Sequence, residues 1–309
     1  MGVKGLVTQR KILGYVFLVP ILTLLSVFMF YPILNSMIMS LTSWSGLTRE
    51  TWYSVLQSSF VGFENYRNLL TVDTLDRFEF WRGMWVSVRF AFISTVIQTI
   101  LGFFLAVFVI NLSKGWQNFY KVSLYLPVIL PSAVIAILWR FIYTPDFGML
   151  NQFLRAVGLG SLTRAWIASP TFALPAVILT NTWRYVGFTT VLYYVAMLNI
   201  PADMIESSMI DGCTHLQRVR YFYFPLTRGA TEINFVLSIT GGLRAFDMFY
   251  LLTRGGPGTA TRVVGMKIFD TAFINFRFGP ALAMSVILFL VVVIVLLITR
   301  FVLAPRDDH

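Results

Sequence analysis

Apolar residues along this chain come in long blocks, separated by shorter stretches that hold most of the charge, glycine and proline. The blocks run over about 12–38, 84–111, 122–142, 170–198, 231–252 and 279–303. A helix rises 1.5 Å per residue, so about 20 residues cross the ~30 Å hydrocarbon core of a bilayer. Each block is long enough, whereas the strands of a soluble α/β domain would not need such lengths. The pattern predicts an all-α polytopic membrane protein with about six transmembrane helices. Residues 12–303 form one transmembrane domain, flanked by a short N-terminal segment (1–11) and a short tail (304–309). No internal repeat or low-complexity tract divides it.

Composition agrees. The 309 residues are 57% hydrophobic and only 12% charged, with mean hydropathy +0.74, whereas a soluble domain carries about 25% charged residues. The net charge of +10 would suggest nucleic acid if the cations shared one soluble face. Here they are scattered between apolar blocks, which points to orientation in the membrane and to no nucleic-acid partner. Lys4, Arg10, Lys11, Lys114, Lys121, Arg218, Arg220, Arg228, Arg300 and Arg306 fall on one side. Outside loops hold comparable charge over greater length, and the positive-inside rule weighs short flanks most. The expectation is therefore cytoplasmic N- and C-termini, an uncleaved signal-anchor as the first block, and outer loops at about 43–83, 143–169 and 253–278. One cysteine, Cys213, and two histidines leave no disulfide framework and predict no metal site.

The inside loop 199–230 holds the most informative segment. Asp203 is placed to cap a short helix through Ile210, with Glu206 three residues on as in a capping box, and Gly212 permits the turn that stops it. A basic, aromatic stretch from Arg218 to Phe224 follows, and Pro225 starts the return to the membrane. The residues alone allow either a compact knob outside the bilayer or a loop lying on headgroups.

The segment Glu206-Ser207-Ser208, Asp211-Gly212 and then Phe222-Tyr-Phe224-Pro225 resembles the coupling motif of ABC importer permeases, E-A-A-x-x-x-G followed by I-x-L-P. Serines replace both alanines, and phenylalanines replace the aliphatic pair. The resemblance extends over nearly the whole chain, through Tyr31-Pro32, Gly62-Phe-Glu-Asn65-Tyr66, Leu126-Pro127 to Trp139, Phe147-Gly148-Met-Leu-Asn151, Asn181-Thr-Trp183, Phe246-Asp247 and Leu252-Thr-Arg-Gly255-Gly256-Pro257. It is similar to the sugar-type permeases, in the branch of the maltose system's larger permease and the glycerol-phosphate permease. That resemblance implies a type I ABC importer permease fold in a bacterial cytoplasmic membrane. It also implies a second homologous permease subunit, two ATP-binding cassette subunits and an extracytoplasmic solute-binding protein as partners. Glu206, Ser207, Ser208, Asp211 and Gly212 would be the ATPase-coupling residues. ATP and magnesium would bind the partner ATPase, so no cofactor is expected in this chain.

Polar side chains inside spans are costly and usually face a cavity or a partner helix. Asn181, Arg184, Tyr185 and Phe188 share one helical face by spacing, as do Ser238, Gly241, Gly242 and Ala245. By resemblance both sets, with Arg244, fall where the maltose-type family lines its sugar site. Close helix packing is the other reading of the small residues. A guanidinium pairs well with carboxylate or phosphate, so Arg184 and Arg244 suggest an anionic sugar of the alginate or pectin kind. Neutral oligosaccharides and glycerol phosphate are the alternatives. An ion-coupled secondary transporter, with Asp247 beside Gly241-Gly242, is a further alternative. The chain has no G-x-x-x-x-G-K-[ST] loop, H-E-x-x-H or G-x-S-x-G, and is expected to be non-catalytic.

Overall fold

The computed structural model describes residues 17–47 and 52–303. The residues assigned to 1–11 and to the tail 304–309, with the start of the first block, lie outside them. Among the described residues the chain is helical, and its one strand-like pairing is an isolated bridge between Thr42 and Phe60. The main helices are α1 (Phe17–Met39), α2 (Leu75–Ile110), α3 (Lys114–Ile129), α4 (Ser132–Ile142), α5 (Ala173–Leu198), α6 (Ala202–Ile210), α7 (Arg228–Leu243), α8 (Asp247–Leu252) and α9 (Phe278–Leu303). The chain divides into two compact units.

The first unit comprises residues up to 77 and 268–287. Asn65 organises it: its buried amide donates to the Ser40 carbonyl at 2.9 Å and the Thr42 carbonyl at 2.8 Å. Those bonds fix the chain as it leaves α1 against the short helix Glu64–Leu70. The start of α9 packs on the same strip of backbone. The Gly279 amide donates to the Trp44 carbonyl at 2.9 Å, an approach that leaves no room for a Cβ beside Thr42. Arg277 pairs with Asp76 at 2.8 Å. Within α1 the apolar window is 0% buried, so its hydrophobic surface is available to lipid or to another chain.

The second unit comprises residues 78–267 and 288 onward. Its larger core joins α2, α4, α5 and α8. Phe90 meets Phe249 edge to face with ring centroids 4.7 Å apart, among Ile135, Ala136, Tyr143 and Val177. A second core gathers Phe103, Ala106, Tyr193, Tyr194, Met197 and Tyr223. Several buried polar groups are paired across helices, as an apolar surround favours. Asn234 donates to the Thr99 hydroxyl at 2.8 Å and accepts from Thr189 at 2.9 Å, linking α7 to α2 and α5. Buried Lys267 pairs with half-buried Glu79 at 2.7 Å.

Two blocks read as single spans are broken. The third bends by 100° between α3 and α4. Pro131 has no amide hydrogen to donate and its ring disfavours a helical Leu130, so both residues are extended, with ψ of 137° and 143°. The fifth stops at Leu243 and restarts at Asp247, after two glycines that weaken the helix. By length and apolarity, three helices among the described residues suffice to cross a membrane, or up to five if each bent pair is one span. Neither the 16-residue α7 nor the six-residue α8 is long enough to cross alone.

Close helix approach gives a direct test. A Cβ on Gly187 of α5 would overlap the Leu124 carbonyl of α3, whereas one on Gly115 would meet nothing. Gly187→Ala should destabilise the chain by about 1–3 kcal/mol, the usual cost of overpacking. Gly115→Ala should be neutral or stabilising by up to ~1 kcal/mol. Thermal unfolding of the two variants in the same detergent checks this ordering.

Candidate functional site

Both helix breaks border one cavity of about 540 Å³ within the second unit. The nine residues singled out from the sequence, Asn181, Arg184, Tyr185, Phe188, Ser238, Gly241, Gly242, Arg244 and Ala245, all line it. α5 supplies the first four as one face. α7 supplies Ser238 and the two glycines but ends at Leu243. Ala245 therefore reaches the cavity from the break, where helical spacing no longer applies.

The structure separates the two readings of the small residues. A Cβ on Gly242 would sit 2.7 Å from the Ala91 Cα, so Gly242 is where α7 and α2 touch. Gly241 has open space on its Cβ side, and its lack of a side chain widens the cavity.

The two arginines differ in the same way. Arg184 is half-buried and tethered: Nη1 donates to the Ser132 hydroxyl at 2.9 Å and Nη2 to the Leu130 carbonyl at 3.1 Å. Its guanidinium carbon also lies 5.0 Å from the centroid of the Tyr185 ring. Its buried Nε has no partner. Arg244 is exposed to the cavity and bonded only through Nε, to the Thr240 carbonyl at 3.2 Å. Neither guanidinium is paired with a carboxylate. The lining contains one carboxylate, Asp247.

Gln98, Tyr125 and Ser132 also line the cavity, beyond the residues to which the sequence points. A glutamine in the middle of an apolar block was a usable signal for Gln98. Tyr125 and Ser132 carried none, because which face of α3 and α4 meets the cavity is set by tertiary packing. Aromatic faces beside hydroxyl, amide and guanidinium groups can hold a ring with one apolar face and a polar edge. Among the described residues no group of His, Cys, Asp and Glu is placed to hold a metal ion.

The 199–230 loop folds as two short helices around a glycine. α6 begins at Ala202 with Pro201 as its N-cap, and no side chain caps it. The expected cap by Asp203 is therefore corrected: proline at 201 already supplies the extended entry, and Asp203 falls in the first turn. The capping box lies in the second helix, where the Thr214 amide donates to Gln217 Oε1 at 2.7 Å and the Gln217 amide to Thr214 Oγ1 at 3.3 Å. Gly212 ends α6 with φ of +79°. The Cys213 amide bonds the Ser208 carbonyl at 2.9 Å and the Gly212 amide the Met209 carbonyl at 3.1 Å, a Schellman arrangement. Glu206, Ser207, Asp211 and Gly212 are exposed and Ser208 is buried. Ile205 packs on the second core, while Ile210 and Leu216 are 86% and 75% exposed.

Comparison with known proteins gives this arrangement its context. The chain is 34% identical over 287 residues to the probable ABC transporter permease protein YurN of Bacillus subtilis, covering 93% of this chain and 94% of that one. It is 29% identical over 280 residues to the trehalose/maltose transport system permease protein MalF of Thermococcus litoralis, covering 91% and 90%. Its fold is shared with a chain of a bacterial ABC transporter involved in the import of the acidic polysaccharide alginate, with TM-score 0.79 and 20% identity over 97% of this chain and 98% of that one. Residues 98–306 match the model of the binding-protein-dependent transport system inner membrane component. The chain is a member of that family, an ABC transporter permease.

Proposed function

We propose that this chain is the translocating subunit of an ATP-driven sugar importer, and that its cavity receives an acidic oligosaccharide of the uronate type. The carrying observation is the cavity's charge. Two guanidinium groups without a carboxylate partner face a lining with a single carboxylate. A cleft lined by uncompensated charge of one sign attracts solutes of the other, and an anionic solute supplies the counter-charge. Tyr125, Tyr185 and Phe188 offer ring faces, and Asn181 and Ser238 offer hydrogen bonds to hydroxyls. The relative from Thermococcus litoralis is named for neutral disaccharides, so cavity charge supports the acidic solute more directly than kinship does.

In this reading Arg244 is the solute-facing cation, because most of its donors are uncommitted. The knob at 199–230 receives the motion of ATPase subunits, supported by exposed apolar residues on a structured turn. A solute-binding protein delivers cargo from outside, and a second permease completes the path. The termini lie on the cytoplasmic side with the knob, as the flanking cations suggest. The chain itself hydrolyses nothing.

Two outcomes are expected of the assembled transporter in proteoliposomes. Arg244→Gln removes a charge-assisted hydrogen bond worth about 1.5–3 kcal/mol, so uptake of tetragalacturonate should fall at least about tenfold. Uptake of maltotetraose should be unchanged. Equal loss of both, or of neither, would leave a neutral oligosaccharide as the better cargo. At the knob, Gly212→Val forces a β-branched side chain to positive φ, which costs about 1–2 kcal/mol. It should abolish solute-stimulated ATP hydrolysis with normal membrane insertion. Gly212→Asn, which tolerates that conformation, should retain most of the stimulation.

A further inference from the structure

The tether of Arg184 joins the middle of α5 to both sides of the α3–α4 break. Leu130, the last residue before Pro131, offers a carbonyl that no helix satisfies; Ser132 begins α4. Local backbone bonds do little here: the Leu130 amide reaches the Pro127 carbonyl at 3.3 Å, and the first bond of α4 runs from the Ile135 amide to the Pro131 carbonyl at 3.2 Å. Without Arg184, the Leu130 carbonyl would lose its hydrogen-bond partner beside a cavity wall, leaving the apolar packing of Leu130 on the core as the contact across the bend. Below the break Gly187 locks α3 to α5 through the Leu124 carbonyl. Beyond it, Ile135, Ala136 and Trp139 pack with Met248 and Phe249 of α8. The bend is thus the soft point between two packed regions, and Arg184 spans it.

We propose that Arg184 is a positioning residue: it sets the angle between α3 and α4 and so holds Tyr125, Val128 and Ser132 where they wall the cavity. Both acceptors are neutral, so the guanidinium keeps its charge while it acts as a clamp. The clamp itself rests on geometry alone, and its effect on uptake rests on the reading that solute passes through this cavity.

The test uses the full chain in lipid nanodiscs, with Cys213→Ser and spin labels on Val122→Cys in α3 and Phe141→Cys in α4, both exposed positions. In the parent protein the distance between labels should be narrowly distributed. Arg184→Gln should broaden and shift it. Ser132→Ala, which removes one acceptor, should do so less, and Arg184→Lys should partly restore the parent distribution. Cooperative thermal unfolding of each variant establishes that it is folded. In the assembled transporter Arg184→Gln should lower uptake of tetragalacturonate and of maltotetraose alike, by about tenfold for a lost interaction of ~1.4 kcal/mol. An unchanged distance distribution in folded Arg184→Gln, or in Ser132→Ala should the first variant fail to fold, overturns the proposal. So does a loss confined to the acidic solute, which would make Arg184 a reader of charge. If the parent carries neither sugar, the passage reading fails, and the distances alone still decide the clamp.

Discussion

A backbone carbonyl or amide inside a bilayer has no water to turn to, and that constraint governs this molecule. Helices satisfy it everywhere except where they break, and a break is tolerable only beside a cavity or another polar group. Here the α3–α4 break has its Leu130 carbonyl bound by Arg184, and the α7–α8 break has the Arg244 side chain folded back on the Thr240 carbonyl. Both breaks open on the same cavity. Cavity, bend and cavity-facing cations are consequences of one accounting of polar groups.

The helices around that cavity are held by small residues and by side-chain hydrogen bonds as well as by apolar packing. Lipid is as apolar as leucine, so burial against another helix gains little there. Gly187 on Leu124 and Gly242 on Ala91 let backbones meet. Asn234 then ties three helices through Thr99 and Thr189. Thr189 and Gly242 also line the cavity, so the residues that pack the bundle and those that shape the site overlap. This overlap is why polar and small residues at helical spacing did not by themselves separate lining from packing.

The knob shows a different balance. It is anchored from within by Ile205 and Val219 on the second core, and shaped by local bonds around Gly212 and the Thr214–Gln217 box. Its outward face carries Ile210 and Leu216 nearly bare. Large exposed aliphatic side chains on a rigid turn mark a protein contact more readily than a solvated loop.

Block length and charge spacing alone determined that the chain is helical and membrane-embedded, because the thickness of hydrocarbon fixes how many apolar residues a helix needs. The turn at Gly212 was legible too, since it depends on local backbone freedom, but the residues alone allowed a knob or a headgroup loop and only the family resemblance chose between them. Eight of the nine lining residues were legible as polar, aromatic or small positions at helical spacing in two blocks, with a family resemblance to select them and to add Arg244. Only the tertiary structure decided the roles within that set: Gly242 packs while Gly241 opens space, and Arg184 is tethered while Arg244 is not. Those differences depend on which atoms of distant segments arrive within 3 Å, through a bend at Pro131 and a break after Leu243. Spacing along one helix carries no record of where another helix stops.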